Sequence, residues 1–123
     1  MKIVIGSSMK FRSLVKETLK KLKTIGVDAE FPNIDYSHKS SDEANTIEEK
    51  KRLALEHYES IKNADAIYFI MPDGYMGTSC KIELGYALAL GKLIYFSEPT
   101  NDLALDCYVK KFIPLDKLIL FKE

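Results

Sequence analysis

The chain has 123 residues, a length typical of one domain. Its 18 basic side chains balance 18 acidic ones, so no excess of positive charge indicates nucleic acid or a membrane surface. Cys80 and Cys107 lack metal-ligand spacing, and we expect free thiols in a reducing compartment. The apolar run in MKIVIGSSMK is too short for a signal peptide or a membrane span. We therefore expect one cytoplasmic domain over residues 1–123, without nucleic-acid or membrane partners.

The first half of the chain predicts two strands and two helices with one long loop. Short apolar runs indicate the strands, and apolar residues at helical spacing indicate the helices. Gly26 is the expected C-cap glycine of the first helix, and Thr46 with Glu49 makes a capping box before the second. The predicted elements are strand Lys2–Ile5, helix Phe11–Ile25, strand Val27–Phe31, loop Pro32–Thr46 and helix Ile47–Asn63. Because the loop is polar and has no period, we expect it to be mobile and to lie over a binding crevice.

The second half continues the same alternation. The run AIYFIM predicts a fully buried strand, and GTSCKIELGYALALGK predicts a helix that is apolar on nearly every side and ends at Gly91. The predicted elements are strand Ala66–Met71, loop Pro72–Thr78, helix Ser79–Leu90, strand Leu93–Phe96, a short helix in Asp102–Lys110 and a last strand in Phe112–Leu115 or Leu118–Phe121. The chain has no repeat and no linker, so we expect no second domain.

This alternation predicts an α/β fold with a doubly wound parallel sheet of four or five strands, flavodoxin-like or Rossmann-like. Right-handed crossovers favour the strand order 2-1-3-4-5. In that order ligands bind in the crevice outside the carboxyl ends of the first and third strands. The loops Gly6–Lys10 and Met71–Ser79 fall at this crevice.

Glu83 lies in the most apolar helix of the chain. Lys81 and Glu83 are the charged residues between Gly77 and Leu90, and two residues on a helix are about 200° apart, so Glu83 faces inward if Lys81 faces water. A buried carboxylate is costly, so three structural explanations stay open beside a function: a surface residue, a partner for a buried Lys or Arg, or a contact between subunits. We expect the side chain to point into the crevice, partly buried, near Gly6–Ser8 and without a buried cationic partner.

The two crevice loops carry groups that suit anion binding at helix N-termini. The candidate substrate-binding residues are Gly6, Ser7, Ser8, Met9, Asp73, Gly77, Thr78 and Ser79. Each group has a structural alternative: a serine-capped turn in the first loop, N-capping by Thr78 or Ser79, and ordinary turn chemistry for Asp73. Tyr75 and Met76 offer an apolar wall for a flat base, or pack as loop residues.

His57 is the second candidate catalytic residue, a candidate acid or base. Leu53, Ala54 and Ile61 are its helical neighbours, so the same pattern also fits a histidine packed at the edge of the core. Two other classes of protein with this architecture match the sequence less well. A phosphoacceptor receiver domain needs carboxylates at the end of the first strand, where the sequence reads IGSS, and GSSMKF is a poor match to a flavin phosphate loop.

Several segments resemble one known family. NADAIYFIMPD, then GTSCKIELGYALALGK followed by LIYF, is similar to the nucleoside 2-deoxyribosyltransferase superfamily, which includes the 2'-deoxynucleoside 5'-phosphate N-hydrolases. KIVIGSSM resembles the first strand and the Gly-Ser loop of that family. The likeness covers most of Lys2–Phe96 and is weak after Pro99. Because the family forms homo-oligomers, the resemblance also implies a homo-oligomer.

The resemblance implies that Glu83 is a nucleophile that attacks the anomeric carbon of a nucleoside or nucleotide. A covalent glycosyl-enzyme forms, and water or a second base resolves it, which requires an ionised carboxylate. The family usually has an Asp before the third strand, a Tyr in the first strand and, in transferases, an Asp six residues before the Glu; the matching positions are His57, Ile3 and Gly77. Ser79 lies close to where nucleotide hydrolases place phosphate-binding serines, which favours nucleoside monophosphates.

Two hypotheses of different classes follow. The first is an N-glycosidase-type enzyme, a hydrolase or deoxyribosyltransferase, with Glu83 as nucleophile and His57 as candidate acid or base. The second is a non-catalytic nucleotide-binding or sensing module that keeps the pocket without the chemistry, and Ile3 and Gly77 favour it. In both, the expected partner is a small-molecule nucleotide or nucleoside, with no cofactor and no metal.

Overall fold

The computed structural model describes residues 1–34 and 46–123. Its strands are β1 (Lys2–Gly6), β2 (Asp28–Glu30), β3 (Ala66–Phe69), β4 (Leu93–Phe96) and β5 (Lys111–Phe112). Its helices are α1 (Arg12–Thr24), α2 (Ile47–Lys62), α3 (Thr78–Ala89) and α4 (Leu103–Asp106). The described residues also form 3₁₀ segments at Met9–Phe11, Pro72–Gly74 and Leu115–Lys122.

The five strands within the described ranges form one sheet in the order β2-β1-β3-β4-β5. Every neighbouring pair is parallel, and Ile3 of β1 lies opposite Ala29 of β2 and Ala66 of β3. The predicted doubly wound sheet and its order are therefore confirmed. The direction of travel across the sheet reverses between β1 and β3, so their carboxyl ends form the topological switch point.

The alternation of side chains along β1 divides the core into two layers. Val4 shares a core cluster with Ile61 of α2 and Leu84 of α3 on one face of the sheet. Ile3 and Ile5 point to the other face, which α1 and the C-terminal 3₁₀ segment cover. Because helical elements cover both faces, the central strands are buried throughout, as their continuous apolar runs predict.

Glycines end α1 and α3 where the sequence predicts. Gly26, with φ 81°, donates its N–H to the carbonyl of Lys23, and Gly91, with φ 72°, ends α3 in the same left-handed conformation. At the start of α2 the hydroxyl of Thr46 accepts the N–H of Glu49 at 3.1 Å, which is one half of the predicted capping box. The ends of these helices are therefore local properties of the sequence.

The third strand is shorter than the predicted Ala66–Met71, because β3 ends at Phe69. Ile70 still donates its N–H to the end of β1, but the N–H of Met71 donates to the hydroxyl of Ser97 at 2.8 Å. The hydroxyl of Ser97 thus accepts the N–H that would otherwise continue the backbone hydrogen bonds of the sheet. The loop to α3 consequently starts at the carboxyl edge of the sheet.

The last strand also differs from both predicted alternatives. β5 begins one residue before Phe112–Leu115 and ends at Phe112, whereas Leu118–Phe121 lies in a 3₁₀ segment. Pro114 has no N–H to donate to a ladder, so the strand cannot continue through it.

Most of the predicted loop Pro32–Thr46 lies outside the described residues. Its predicted mobility therefore stays a prediction. Its first residues, Pro32 and Asn33, do line the cavity described below. Among helices in the described ranges, none combines the length and the apolar character that crossing a membrane requires.

Candidate active site

A cavity of about 500 Å³ opens at the switch point, among the loop after β1, the segment after β2, α2 and α3. Its volume is in the range of small-molecule sites, and its position is where doubly wound sheets bind ligands. The lining residues are Ser7, Ser8, Met9, Phe31, Pro32, Asn33, Lys50, Leu53, Ala54, His57, Tyr75, Gly77, Thr78, Ser79, Cys80 and Glu83.

Gly6, the last residue of β1, lies beside Glu83 but does not itself line the cavity. A Cβ at Gly6 would lie 2.6 Å from ring carbons of Phe69 and 3.5 Å from Oε2 of Glu83. A methyl group in that position would therefore force the buried ring to move. The absence of a side chain at Gly6 lets the backbone of β1 and the carboxyl of α3 lie side by side.

The two serines of the first loop have structural partners. Ser7 donates its hydroxyl to the carbonyl of Ile70 at 2.9 Å, which joins the ends of β1 and β3. The hydroxyl of Ser8 accepts the N–H of Lys10 and caps the following 3₁₀ turn. The serine-capped turn is thus present, and contacts of Ser7 or Ser8 with a ligand would be additional to it.

The N-terminus of α3 has no capping side chain. The helix begins at Thr78 with Gly77 as its N-cap, and no side-chain cap bond occurs there among the described residues. The alternative of N-capping by Thr78 or Ser79 is therefore wrong. The first-turn N–H groups keep their partial positive charge at the wall of the cavity, which is the arrangement that binds anions.

Glu83 is buried on the inner side of α3, with 8% of its surface exposed, while Lys81 is exposed. Lys81 and Glu83 thus lie on opposite sides of α3, as the angle of about 200° between them predicts. Within residues 1–34 and 46–123, Oε2 of Glu83 has no hydrogen-bond partner, and its neighbour within ion-pair range is His57 rather than a Lys or Arg. The side chain therefore lies in the crevice near Gly6, without a cationic partner among the described residues.

His57 lies on the cavity side of α2 and is also buried. Phe31 packs edge-to-face against the imidazole with ring centroids 5.1 Å apart, and the backbone of Ile5 hydrogen-bonds the ring. Nε2 lies 3.8 Å from Oε2 of Glu83 and has no hydrogen-bond partner in the described part of the chain. A small approach of the two side chains would make a hydrogen bond between them.

Burial sets the protonation states of this pair. Burial raises the pKa of Glu83 to about 8, against a smaller lowering by the charge of Lys50. Burial likewise lowers the pKa of His57 to about 4, with the Ile5 hydrogen bond opposing and Lys50 adding to the change. At pH 7 the carboxyl is therefore mainly protonated and the imidazole is neutral. The ionised carboxylate that the resemblance implies is a minor form at that pH.

The sequence patterns do not single out Lys50, Phe31 or Asn33, although all three line the cavity. Phe31 and Asn33 follow β2, and only the tertiary fold brings that segment beside α2. Lys50 could have been found, since it precedes His57 by two helical turns and so lies on the same side of α2.

Asp73 does not line the cavity. It is exposed in the turn Pro72–Gly74 with φ 58°, a left-handed conformation that Asp tolerates. The structure therefore gives no geometric support for Asp73 as a substrate-binding residue. Of the expected apolar wall, Met9 and Tyr75 line the cavity, whereas Met76 is buried in the core.

Ile3 lies in the core layer on the α1 side of the sheet. Glu83 lies on the opposite side, with Val4 and the end of β1. A side chain at position 3 would point away from the carboxyl, so Ile3 is not a site from which a tyrosine could contact Glu83.

The thiol of Cys80 is buried in the wall of the cavity. Burial, with a contribution from the charge of Glu83, raises the pKa of Cys80 to about 12, so the thiol is unreactive. Cys107 is exposed, and both cysteines are free. No group of three or more His, Cys, Asp or Glu side chains within residues 1–34 and 46–123 could hold a metal ion.

Solved structures resemble this chain over nearly its whole length. A 2-deoxyribosyltransferase from the psychrotolerant bacterium Bacillus psychrosaccharolyticus matches with a TM-score of 0.67 and 23% identity, over 94% of this chain and 88% of the other. The CMP N-glycosidase BcmB from Clostridium botulinum matches with a TM-score of 0.60 and 20% identity, over 98% and 99%. A conserved protein from Enterococcus faecalis V583 matches with a TM-score of 0.69 and 12% identity, over 98% of each chain. No protein-family model and no curated protein matches the chain.

The class that the fold defines is the α/β class of proteins with a doubly wound parallel sheet. More narrowly, the chain shares its fold with a 2-deoxyribosyltransferase and with a CMP N-glycosidase. At these levels of identity the similarity concerns the fold. The resemblance predicted from the sequence is confirmed at that level.

Glu83→Gln should flatten the pH dependence of stability above pH 6.5. Because the pKa of Glu83 is raised, the folded protein keeps a proton that the unfolded chain releases, and stability falls as pH rises from 4.5 to about 8. The lowered pKa of His57 has the opposite sign, so its contribution rises from about pH 4 to 6.5. Above pH 6.5 the Glu83 loss remains alone, about 1 to 2 kcal/mol by pH 8.

Urea unfolding at about pH 6.5 and about pH 8 measures this difference. Glu59→Gln, which changes an exposed carboxylate of α2, is the control and should keep the wild-type fall. An equal fall in Glu83→Gln would show that another group carries the proton.

Proposed function

We propose that the protein is an N-glycosidase-type enzyme of the nucleoside 2-deoxyribosyltransferase superfamily that acts on a nucleotide or nucleoside. One observation carries the proposal: a buried carboxyl without a cationic partner among the described residues faces a ligand-sized cavity, 3.8 Å from a histidine nitrogen. A structural carboxylate is usually paired with a fixed cation, whereas a nucleophile needs its lone pairs for carbon. The fold shared with a 2-deoxyribosyltransferase and a CMP N-glycosidase supports this reaction class. The free thiols of Cys80 and Cys107 fit a cytoplasmic enzyme.

The pair formed by Glu83 and His57 holds the proton that the first step needs. In the proposed step the bound substrate brings Oε2 and Nε2 about 1 Å closer and drives the proton from the carboxyl to the imidazole, against the order of the two pKa values in the free protein. The resulting carboxylate attacks the anomeric carbon, so that a C–O bond forms while the C–N bond to the base breaks. The imidazolium gives its proton to the leaving base, and His57 ends this step neutral.

Neutral His57 acts as the base in the second step. It takes a proton from a water molecule whose oxygen attacks the anomeric carbon, and the C–O bond to Glu83 breaks with its electron pair returning to the carboxylate. The proton then passes from His57 back to Glu83, which restores the starting pair. If a second base replaces water, a new C–N bond forms and the outcome is transfer.

The first turn of α3 is the proposed site for the phosphate or sugar. Its uncapped N–H groups and the hydroxyls of Thr78 and Ser79 share the cavity with Lys50 of α2. Together they favour a nucleoside monophosphate over a nucleoside. Met9 and Tyr75 supply apolar surface for the base, and Nζ of Lys10 lies 3.5 Å from the centroid of the Tyr75 ring.

A non-catalytic nucleotide-binding or sensing module is the second candidate. Two observations favour it: Glu83 is mainly protonated at neutral pH, and Gly77 offers no carboxylate at the position of the transferase Asp. Such a module would bind the same nucleotides in the same cavity. The two candidates therefore differ in release of the base and not in binding.

We propose that the outer side of α3 contacts a second copy of the chain. Ile82 is exposed on α3, Leu90 is exposed directly after its end, and Leu55 is exposed on neighbouring α2. A helix that is apolar on all sides is usually covered on all sides. A second copy that covers this surface would make the homo-oligomer that the resemblance implies.

Glu83→Ala should abolish the release of free base, with a loss of roughly 10³-fold or more because no nucleophile remains. Chromatography after incubation with a panel of nucleoside monophosphates and nucleosides measures the base. Glu59→Ala, at an exposed position of α2, should keep the wild-type rate.

A Glu83→Ala variant that releases base at the wild-type rate would reject this mechanism. If the wild type binds nucleotides but releases no base from any of them, the non-catalytic module is supported instead. Circular dichroism of each variant separates loss of chemistry from loss of fold.

Ser79→Glu should weaken binding of a nucleoside monophosphate by roughly tenfold or more, because it places a negative charge at the N-terminus of α3 inside the cavity. Ser13→Glu is the matched control, since Ser13 is exposed in the first turn of α1 and does not line the cavity. Calorimetric titration measures both affinities. Equal affinity of the two variants would place the phosphate elsewhere.

Ile82→Lys should shift the chain toward the monomer, because it puts a charge on the proposed contact surface. Ile119→Lys is matched in exposure, since both side chains are 54% exposed, but Ile119 lies in the C-terminal 3₁₀ segment. Sedimentation velocity measures the distribution of species. Dissociation by Ile119→Lys rather than by Ile82→Lys would assign the contact to the other side of the molecule.

A further inference from the structure

We propose that Lys50, which lines the α2 side of the cavity, is a positioning residue whose charge stabilises the carboxylate form of Glu83. Its importance for catalysis rests on the proposed function, whereas the charge interaction itself does not. The helical spacing from His57 places Lys50 on the same side of α2, and the tertiary fold brings that side to the cavity that Glu83 also lines.

The geometry of α2 supports this assignment. Lys50 and His57 are two helical turns apart, so both point to the same side of the helix, and Leu53 and Ala54 between them also line the cavity. Lys50 and Lys51 are both exposed, but of the two Lys50 alone lines the cavity, because adjacent residues point about 100° apart around a helix. Lys51 is therefore a control that is matched to Lys50 in charge and in exposure.

Lys50 supplies a positive charge that the other groups around Glu83 do not. On α2, His57 and Tyr58 are the ionisable groups that interact with the carboxyl besides Lys50, and on α3 it is Cys80; all three are uncharged at neutral pH. The loop after β1 contributes no ionisable side chain between Gly6 and Met9. Of the residues that line the cavity in the described ranges, Lys50 is the one with a permanent positive charge.

The positive charge of Lys50 lowers the pKa of three groups in the site. It lowers the pKa of Glu83 and of Cys80, which burial raises by more. It also lowers the pKa of His57, in the same direction as the larger effect of burial. A positive charge favours the carboxylate and disfavours the imidazolium. Removing it should therefore raise the pKa values of Glu83 and His57 together, which a change in packing would not do.

The test is a carbon-13 NMR titration of the Glu83 carboxyl and the His57 ring in the protein without substrate. The wild-type midpoints should lie near about 8 and about 4. Lys50→Met, which removes the charge but keeps the aliphatic chain, should move both midpoints upward by roughly half a pH unit or more. Lys51→Met should leave both unchanged, and Lys50→Arg should restore the wild-type values. Unchanged midpoints in Lys50→Met would overturn the inference.

The pH dependence of base release separates this inference from the proposed function. If one proton shared by the pair drives the reaction, the rate should rise near pH 4 and fall near pH 8. The rise and the fall of the rate should then both move to higher pH in Lys50→Met, and both should keep their pH in Lys51→Met. If the NMR midpoints move as expected but no variant releases base, the proposed function fails and the role of Lys50 stands. If activity is present and the rise and the fall do not move, Lys50 has no part in the reaction.

Discussion

Burying the carboxyl of Glu83 in an apolar helix costs free energy, because bulk water no longer solvates its charge and no Lys or Arg of the described residues lies within ion-pair distance. The protein reduces this cost by keeping the group protonated at neutral pH, and the imidazole of His57, 3.8 Å away, is neutral as well. The remaining order of the site follows from this pair. α2 must present His57, α3 must present Glu83, and the loop after β1 must leave room for both. A small shift of either helix would separate two atoms that now lie just beyond hydrogen-bond distance.

The switch point of the sheet provides the room that the pair needs. β1 and β3 end side by side, and the hydroxyl of Ser7 joins the two ends through the carbonyl of Ile70. Gly6 has no side chain, so the ring of Phe69 and the carboxyl of Glu83 can both approach the backbone there. The parallel arrangement also brings the N-terminal ends of α2 and α3 to the same edge of the sheet, because each helix returns the chain to the start of the next strand.

This arrangement concentrates unpaired polar groups of different kinds in one cavity. The carboxyl of Glu83 lies 3.8 Å from the imidazole of His57, the first turn of α3 supplies backbone donors, and Lys50 supplies a positive charge at the wall. Such a set can bind a phosphorylated sugar and also attack its anomeric carbon. A binding module would use only the donors and the charge. What distinguishes the two functions is whether Glu83 loses its proton when a ligand is bound, which depends on the electrostatic balance and not on the fold.

The sequence by itself determined the helix ends and the inward direction of Glu83, because these depend on the spacing of neighbouring residues along one element. It also determined the sheet order, because strands that alternate with helices and connect by right-handed crossovers favour that order. Tertiary structure decided which groups meet: it placed His57 and Lys50 of α2 opposite Glu83 of α3, left Asp73 in an exposed turn and turned Ile3 toward α1. It also set the pKa values of the pair, since burial is a property of the assembled core and not of a segment. Spacing along the chain specifies the side of an element on which a residue lies, whereas the distance between two elements follows only from how they pack.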